Sequence, residues 1–410
     1  MSSSVRSTVV TTSRGHVRSL ALARALSFSG SYAARIGLVY TLYDRTGSST
    51  WVSAALLADI GVVGALGPVA GWIGDHVERR RVMVASELAA AVVFAVLCFA
   101  DAPWVLVAGF LAATIVNAPF APASAAALPN LAGDHDLRWA NSMLAISTNA
   151  GLVVGPMIGG WLVAAAGIHL VFAVNAVSFG ASALVIARIH GRFAQEVPAS
   201  EHAVRRGALR AGFVLVRRNR VIGTLTASLA LTHLTFGFAM VADPALAKEF
   251  DAGSFGYAVL YTGWGLVALL GAWLAGRVHD RRHVPYYVLA GLGATTLGCV
   301  AIATLPTFWL LVAVGSLGGI GTGAMFPLTN GLMQEHAPDA VRARVFGAVD
   351  TIDKTSFAAG MLAGAPLVAA VGAQGAYGVT AAVLAVALVI MSGLPRAAAH
   401  LPVEATAAAA

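Results

Sequence analysis

Seven ionisable residues, Arg35, Asp59, Glu87, His233, Asp350, Asp353 and Lys354, stand inside long apolar runs of this 410-residue chain. A charge at the centre of an apolar helix costs about 2.5 to 3.5 kcal/mol on insertion scales, so each is expected to face a bundle interior or water and to have a partner. Arg35 and Asp59 fall roughly 7 to 8 residues from the outer ends of successive runs, about 10 to 12 Å deep at 1.5 Å per residue. Equal depth permits a buried ion pair. Asp350 and Lys354 are spaced i, i+4 with the acid nearer the N-terminus, the order that favours a salt bridge along one helix face. Asp353 is then left over, and since a buried carboxyl beside one cation is suited to exchanging a proton, Asp353 or Asp350 is expected to carry it with Lys354 as its restraint; the alternative is a structural triad of all three. His233, at mid-depth of its run, reads either as a cavity residue or as a helix-packing histidine. Glu87 lies under two turns from the inner end of its run, where it is expected to snorkel or meet Arg79 to Arg81 in a structural role.

The elements that carry these residues follow from composition. With 58% hydrophobic and 11% charged residues, the chain is far too apolar for a water-soluble core, and lipid is its expected solvent. The apolar runs are Ser19 to Tyr43, Trp51 to Ile73, Val82 to Ala100, Trp104 to Leu128, Ala140 to Ala165 and Ile168 to Ala187. After a basic stretch come Val221 to Val241, Phe255 to Ala275, Val284 to Leu305, Phe308 to Met333, Val345 to Val371 and Ala376 to Leu394. Each is near the roughly 20 residues that cross a bilayer as helix. About 21 of the 26 lysines and arginines fall between runs on one side when the N-terminus is inside, which predicts two cytoplasmic termini. Trp51, Trp104 and Trp309 mark outer ends, where an indole prefers the headgroup layer. The first run is too long for a signal peptide and is expected to be retained.

The net charge of +7 does not indicate nucleic acid, because the basic residues separate apolar runs rather than forming one binding face. Cys98 and Cys299 lie within apolar runs and offer neither a disulfide framework nor a metal site. Lys248 and Lys354 follow Ala247 and Asp353, so no GK step of a phosphate-cradling loop exists. The glycines from Gly315 to Gly323 lie inside an apolar run and read as packing positions, not a dinucleotide fingerprint. With no HExxH, GxSxG or metal-ligand cluster, neither an enzyme nor a cofactor is expected. The stretch Ala203 to Arg218 interleaves Arg205, Arg206, Arg210, Arg217 and Arg218 with Val204, Leu209, Phe213 and Leu215, a basic amphipathic helix suited to the anionic inner leaflet. The alanine-rich tail after Pro395 is expected to be disordered.

The stretch Gly71 to Arg81, GWIGDHVERRR, resembles the loop signature after the second helix of the major facilitator superfamily. Gly71, Asp75, Arg79 and Arg80 match it, with His76 where a base is usual and Glu78 where a glycine is usual. Gly276, Arg277, Asp280, Arg281 and Arg282 echo it about 202 residues later. A second internal match sets Gly155, Gly159, Leu162 to Ala165 and Gly167 against Gly360, Gly364, Leu367 to Ala370 and Gly372, about 205 residues on. Gly151, Gly155, Pro156, Gly159 and Gly160 spell GxxxGPxxGG, which resembles the fifth-helix signature of the superfamily's exporters and independently predicts close helix packing. TGSST, ALPNL, RWANS and RARVFGAVD resemble the macrolide-efflux-like branch of the drug and proton antiporters.

The resulting expectation is an all-α membrane protein of twelve transmembrane helices in two pseudo-symmetric six-helix bundles, 1–188 and 221–410, joined by a cytoplasmic basic linker, 189–220. The resemblance implies a monomeric transporter of the bacterial cytoplasmic membrane, exporting a hydrophobic or amphipathic small molecule in exchange for protons by alternating access. It places the first, fourth, seventh and tenth helices around the cavity and sets Asp75 against the start of the eleventh, with Arg79 and Arg80 completing a polar clasp. The rival readings are a proton-coupled importer and a membrane sensor of the same fold that transports nothing.

Overall fold

The computed structural model describes residues 2–62, 66, 70, 73, 77–132, 137–190, 193, 208–278, 280–337 and 341–395, and among them every regular element is helical. In the first part of the chain these are α1 (Ser2–Thr46), α2 (Ser49–Leu56) continuing into a π turn (Leu57–Gly61), α3 (Arg79–Leu97), α4 (Pro103–Asn117), α5 (Phe120–Ala132), α6 (Leu137–Ala166) and α7 (Ile168–Ala187). Then come α8 (Ala208–Arg218), α9 (Arg220–Glu249), α10 (Gly253–Ala275), α11 (Val284–Thr304), α12 (Phe308–Gly315), α13 (Gly318–His336) and α14 (Arg342–Met391). Among the described residues, eight helices are long and apolar enough to cross a membrane, with α4–α5 and α12–α13 each running on as one. Apolar side chains such as Phe99, Val177, Leu297 and Val389 are left bare on the outside, a surface that fits lipid and not water.

Two helices differ from the expected runs for identifiable reasons. The first begins at Ser2 rather than near Ser19, and Arg14 and Arg18 lie over the Trp139 ring at 5.5 and 5.9 Å, which ties the polar start to α6. The π turn in α2 holds Asp59 and widens the helix where the ionisable group stands.

Contacts divide the chain into two units. One comprises Met1–Gly47, Ala54–Ser200 and Gly253–Ala258, and the other Ser48–Ser53, Glu201–Ala252 and Val259–Ala410. In the first unit α6 packs on α1 through its glycines. A side chain at Gly155 would meet the Ser29 carbonyl oxygen and Tyr32 Cβ at 2.6 Å, and one at Gly159 would meet Ala33 Cα at 2.7 Å. Gly160 lies against Ala258, and Ser254 donates to its carbonyl at 2.9 Å. In the second unit α14 packs on α9 in the same way: Gly360 lies against Leu234 and Gly237, the positions about 205 residues beyond Ser29 and Tyr32. Gly364 adjoins Val241.

The repeat also appears in the backbone. Gly167, between α6 and α7, has φ 78° and ψ −178°, and Gly372, inside α14, has φ 74° and ψ 176°. This conformation is essentially closed to side-chain-bearing residues. It breaks α14 into two rods and joins α6 to α7 with a single residue.

The basic linker helix differs from its expected place. Its described part, α8, buries Val216 and brings Gly212 against the Arg344 carbonyl of α14, so it packs on the second unit. Phe213 and Val214 remain exposed beside Arg217 and Arg218, leaving only part of the apolar face for lipid. Asn219 then caps α9, accepting from the backbone N–H of Val221 and Ile222 at 3.0 and 3.1 Å. The tail from Arg396 lies outside the described residues.

Candidate functional site

In the first unit, α1, the π turn, α3, α4 and α7 surround a cavity of roughly 200 Å³. Arg35 and Asp59 line it and form an ion pair with side chains 17% and 15% exposed. The guanidinium also lies 4.6 Å from the centre of the Tyr32 ring. Ser27, Ser31, Thr114 and Asn117 supply hydroxyl and amide groups to the wall. Phe94, Phe110 and Phe179 complete it, with Phe94 in edge contact with Phe110 at 6.0 Å and stacked on Phe179 at 5.6 Å. One space therefore offers a charge pair, neutral polar groups and phenyl rings.

Glu87 is a correction to the expected snorkelling carboxylate. It is wholly buried in α3, accepting from Ser27 Oγ at 3.0 Å and Asn117 Nδ2 at 3.4 Å. The arginine that faces it is Arg24 of α1, which donates to Ser124 and Thr148, not Arg79 to Arg81. Sequence gave the depth of Glu87 approximately, because α3 starts three residues earlier than the apolar run. The cross-helix partners, drawn from α1 and α4, have no signature in the sequence.

The second unit brings together His233 of α9 and Asp353 of α14. His233 Nδ1 lies 3.6 Å from Asp353 Oδ1, too long for a hydrogen bond, and donates instead to the Leu229 carbonyl at 3.0 Å. In the neutral ring Nε2 is then the acceptor. Phe236 and Phe326 pack on the imidazole at 6.2 and 5.3 Å between ring centres. Asp353, left over in the sequence, thus has a histidine neighbour. Asp350 and Lys354 form their i, i+4 bridge at 2.8 Å with side chains 61% and 65% exposed, beside the more buried His233 and Asp353, on both of which the Asp350 charge acts. Asp243, two residues beyond the apolar run Val221 to Val241, is buried near the end of α9 and accepts from the Tyr377 hydroxyl.

Of the loop signature, Gly71 and Asp75 lie outside the described residues. Arg79 donates to the Ala126 and Phe193 carbonyls at 3.0 and 3.1 Å, and Arg80 to the Ala187 carbonyl at the end of α7. These arginines satisfy main-chain oxygens of their own unit, and Arg80 does so at the C-terminus of α7, a favourable place for a cation. Arg81 pairs with Glu78 at 2.8 Å. In the echo of this loop, Asp280 accepts from the Arg282 backbone N–H at 3.0 Å, which holds its carboxyl below the usual carboxylate range, and pairs with His283 at 2.9 Å. The exporter-like residues Gly151, Gly155, Pro156, Gly159 and Gly160 are all buried in α6.

A bundle of apolar helices around a charged and aromatic cavity is the build of a membrane transporter. The model of the Major Facilitator Superfamily matches residues 20–288 and 225–409, and the chain belongs to that family. It is similar to the multidrug efflux pump Tap of Mycobacterium tuberculosis, 28% identical over 386 residues that cover 89% of this chain and 90% of Tap. It is also similar to the MFS-type transporter YfiS of Bacillus subtilis, 27% identical over 76% of each chain. Among solved structures, a bacterial homologue of the human lysosomal transporter Spinster shares the fold with a TM-score of 0.73 at 12% identity, covering 94% of this chain and 97% of the other.

Proposed function

We propose that the chain is a twelve-helix secondary transporter of a bacterial cytoplasmic membrane that exports a hydrophobic or amphipathic small molecule in exchange for protons. The observation that carries this reading is the cavity of the first unit, where phenyl walls meet a buried ion pair whose state a proton or a ligand can change. The likeness to Tap and the buried GxxxGPxxGG helix support export over import. Twelve crossings follow when α14 is counted as two at Gly372 and the runs of α1, α2 and α3 join the eight candidate helices. The charge distribution then places both termini inside. The two units act as the repeats of alternating access, with 189–220 as the connection. Arg35, Asp59, His233 and Asp353 form the ion and substrate sites, Asp353 exchanging a proton beside His233, while Asp350 and Lys354 form a neighbouring salt bridge.

Purified protein in liposomes, loaded with a panel of labelled lipophilic compounds under an imposed pH gradient, tests this. Compound movement against the proton flow is the expected result. Movement with the proton flow identifies an importer, and no movement of any compound in either direction leaves a protein of this fold that transports nothing under these conditions.

A further inference from the structure

The most deeply buried carboxylate among the described residues of the first unit has no part in the Arg35–Asp59 pair. Glu87 is 0% exposed, and its hydrogen-bond partners among the described residues are both neutral. Ser27 and Asn117 reach Oε1 from the cavity wall, whereas Oε2 accepts no hydrogen bond among the described residues. Ser182 of α7 stands beside the carboxyl, and its hydroxyl is likewise without a partner there. Arg24 is the one described cation facing Glu87, and its hydrogen bonds go to Ser124 and Thr148 while its Nε makes none among the described residues. The described helices packed on α3 bring no other charge to it, since α4 and α5 contain no ionisable residue and α7 has only His169, in its first turn. Asp59 and Arg35 line the same cavity and neutralise each other.

We propose that Glu87 is a second protonation site, reached through the cavity of the first unit, that takes up a proton and releases it during the transport cycle. This rests on the proton-antiport reading above. The geometry provides for both forms of the group. As a carboxylate, Oε1 accepts from Ser27 and Asn117 and Arg24 supplies the nearby positive charge. As an acid, Oε2–H donates to Ser182 Oγ, which has a lone pair to offer, while Oε1 keeps its two donors. The proton comes from water and returns to it, and no other bond changes. Room for the relay exists, because a cavity of roughly 200 Å³ holds several waters and five of its lining residues, Ser27, Ser31, Tyr32, Thr114 and Asn117, carry hydroxyl or amide groups.

Infrared titration of the purified protein in lipid reads the group without any substrate. The carbonyl-stretch signal of protonated buried carboxyls is expected to grow as pH falls and to contain a component that vanishes in Glu87→Gln, persists in Asp353→Asn and shifts in Ser182→Ala without disappearing. The same liposomes then supply a second readout: Glu87→Gln is expected to lower gradient-driven movement of a transported compound at least tenfold and leave passive counterflow of that compound unchanged, with Glu87→Asp restoring part of the response. A band identical in wild type and Glu87→Gln overturns the proposal, as does full gradient-driven transport by Glu87→Gln. If the wild type itself ignores the pH gradient, the antiport reading fails, and the role of Glu87 in the transport cycle fails with it, whereas the infrared band reports separately whether its carboxyl titrates.

Discussion

The Arg35–Asp59 pair sits where one lost partner strands a charge. Asp59→Asn and Arg35→Gln are each expected to lower stability by about 3 kcal/mol, at the lower end of the range for breaking a buried pair because neither side chain is completely enclosed. The double variant, which leaves no charge unpaired, is expected to regain part of that loss. Unfolding of the purified variants in detergent, read as a double-mutant cycle, measures both. A different outcome belongs to α14. Asp353→Asn is expected to cost gradient-driven transport tenfold or more, and Asp350→Asn to cost little, because Asp350 is exposed and already held by Lys354. Equal losses from both would remove the distinction. What the sequence disclosed at this scale was depth along a helix, which is why Arg35 and Asp59 were readable as partners. It did not disclose azimuth. His233 meeting Asp353, and Glu87 meeting Ser27 and Asn117, depend on how three or more helices rotate about their axes, and almost uniformly apolar helices such as α7 and α11 have little periodicity from which to read a facing side.

At the scale of elements, the glycine seams are the least forgiving places. Gly155→Ala puts a methyl 2.6 Å from the Ser29 carbonyl oxygen, and Gly360→Ala crowds Leu234 and Gly237 in the other unit. Each is expected to cost about 1 to 3 kcal/mol by overpacking. Gly265→Ala, in α10 with open space around it, is the control and is expected to be neutral or mildly stabilising, since alanine is the better helix former. The joints behave differently: Gly167→Ala and Gly372→Ala meet no steric neighbour, yet their positive φ is expected to cost about 1 to 3 kcal/mol through backbone strain alone. Midpoints of thermal unfolding for the five variants separate crowding from strain. These seams were legible in the sequence as spaced small residues. The linker helix was legible as amphipathic, but its packing surface was not, because a Gly212 that admits the Arg344 carbonyl looks the same in sequence as one that faces water.

For the whole molecule, orientation in the membrane is open to direct measurement. Ser49 and Ser254 are poor reporters, being 7% and 4% exposed. In a chain lacking Cys98 and Cys299, cysteines at the exposed positions Thr50 and Thr307 are expected to react with an impermeant thiol reagent applied to intact cells, and a cysteine at Asp280 only after lysis. The reverse pattern would place both termini outside. His233 and Asp353 stand about 205 residues beyond Phe28 and Thr148, which in the first unit lie against Arg24. The scaffold of helix seams and joints is therefore matched between the halves, while the ionisable groups inside the helices are not. Matching joinery thus carries different chemistry in each half, so a substitution that retunes one set of charges need not have a counterpart in the other.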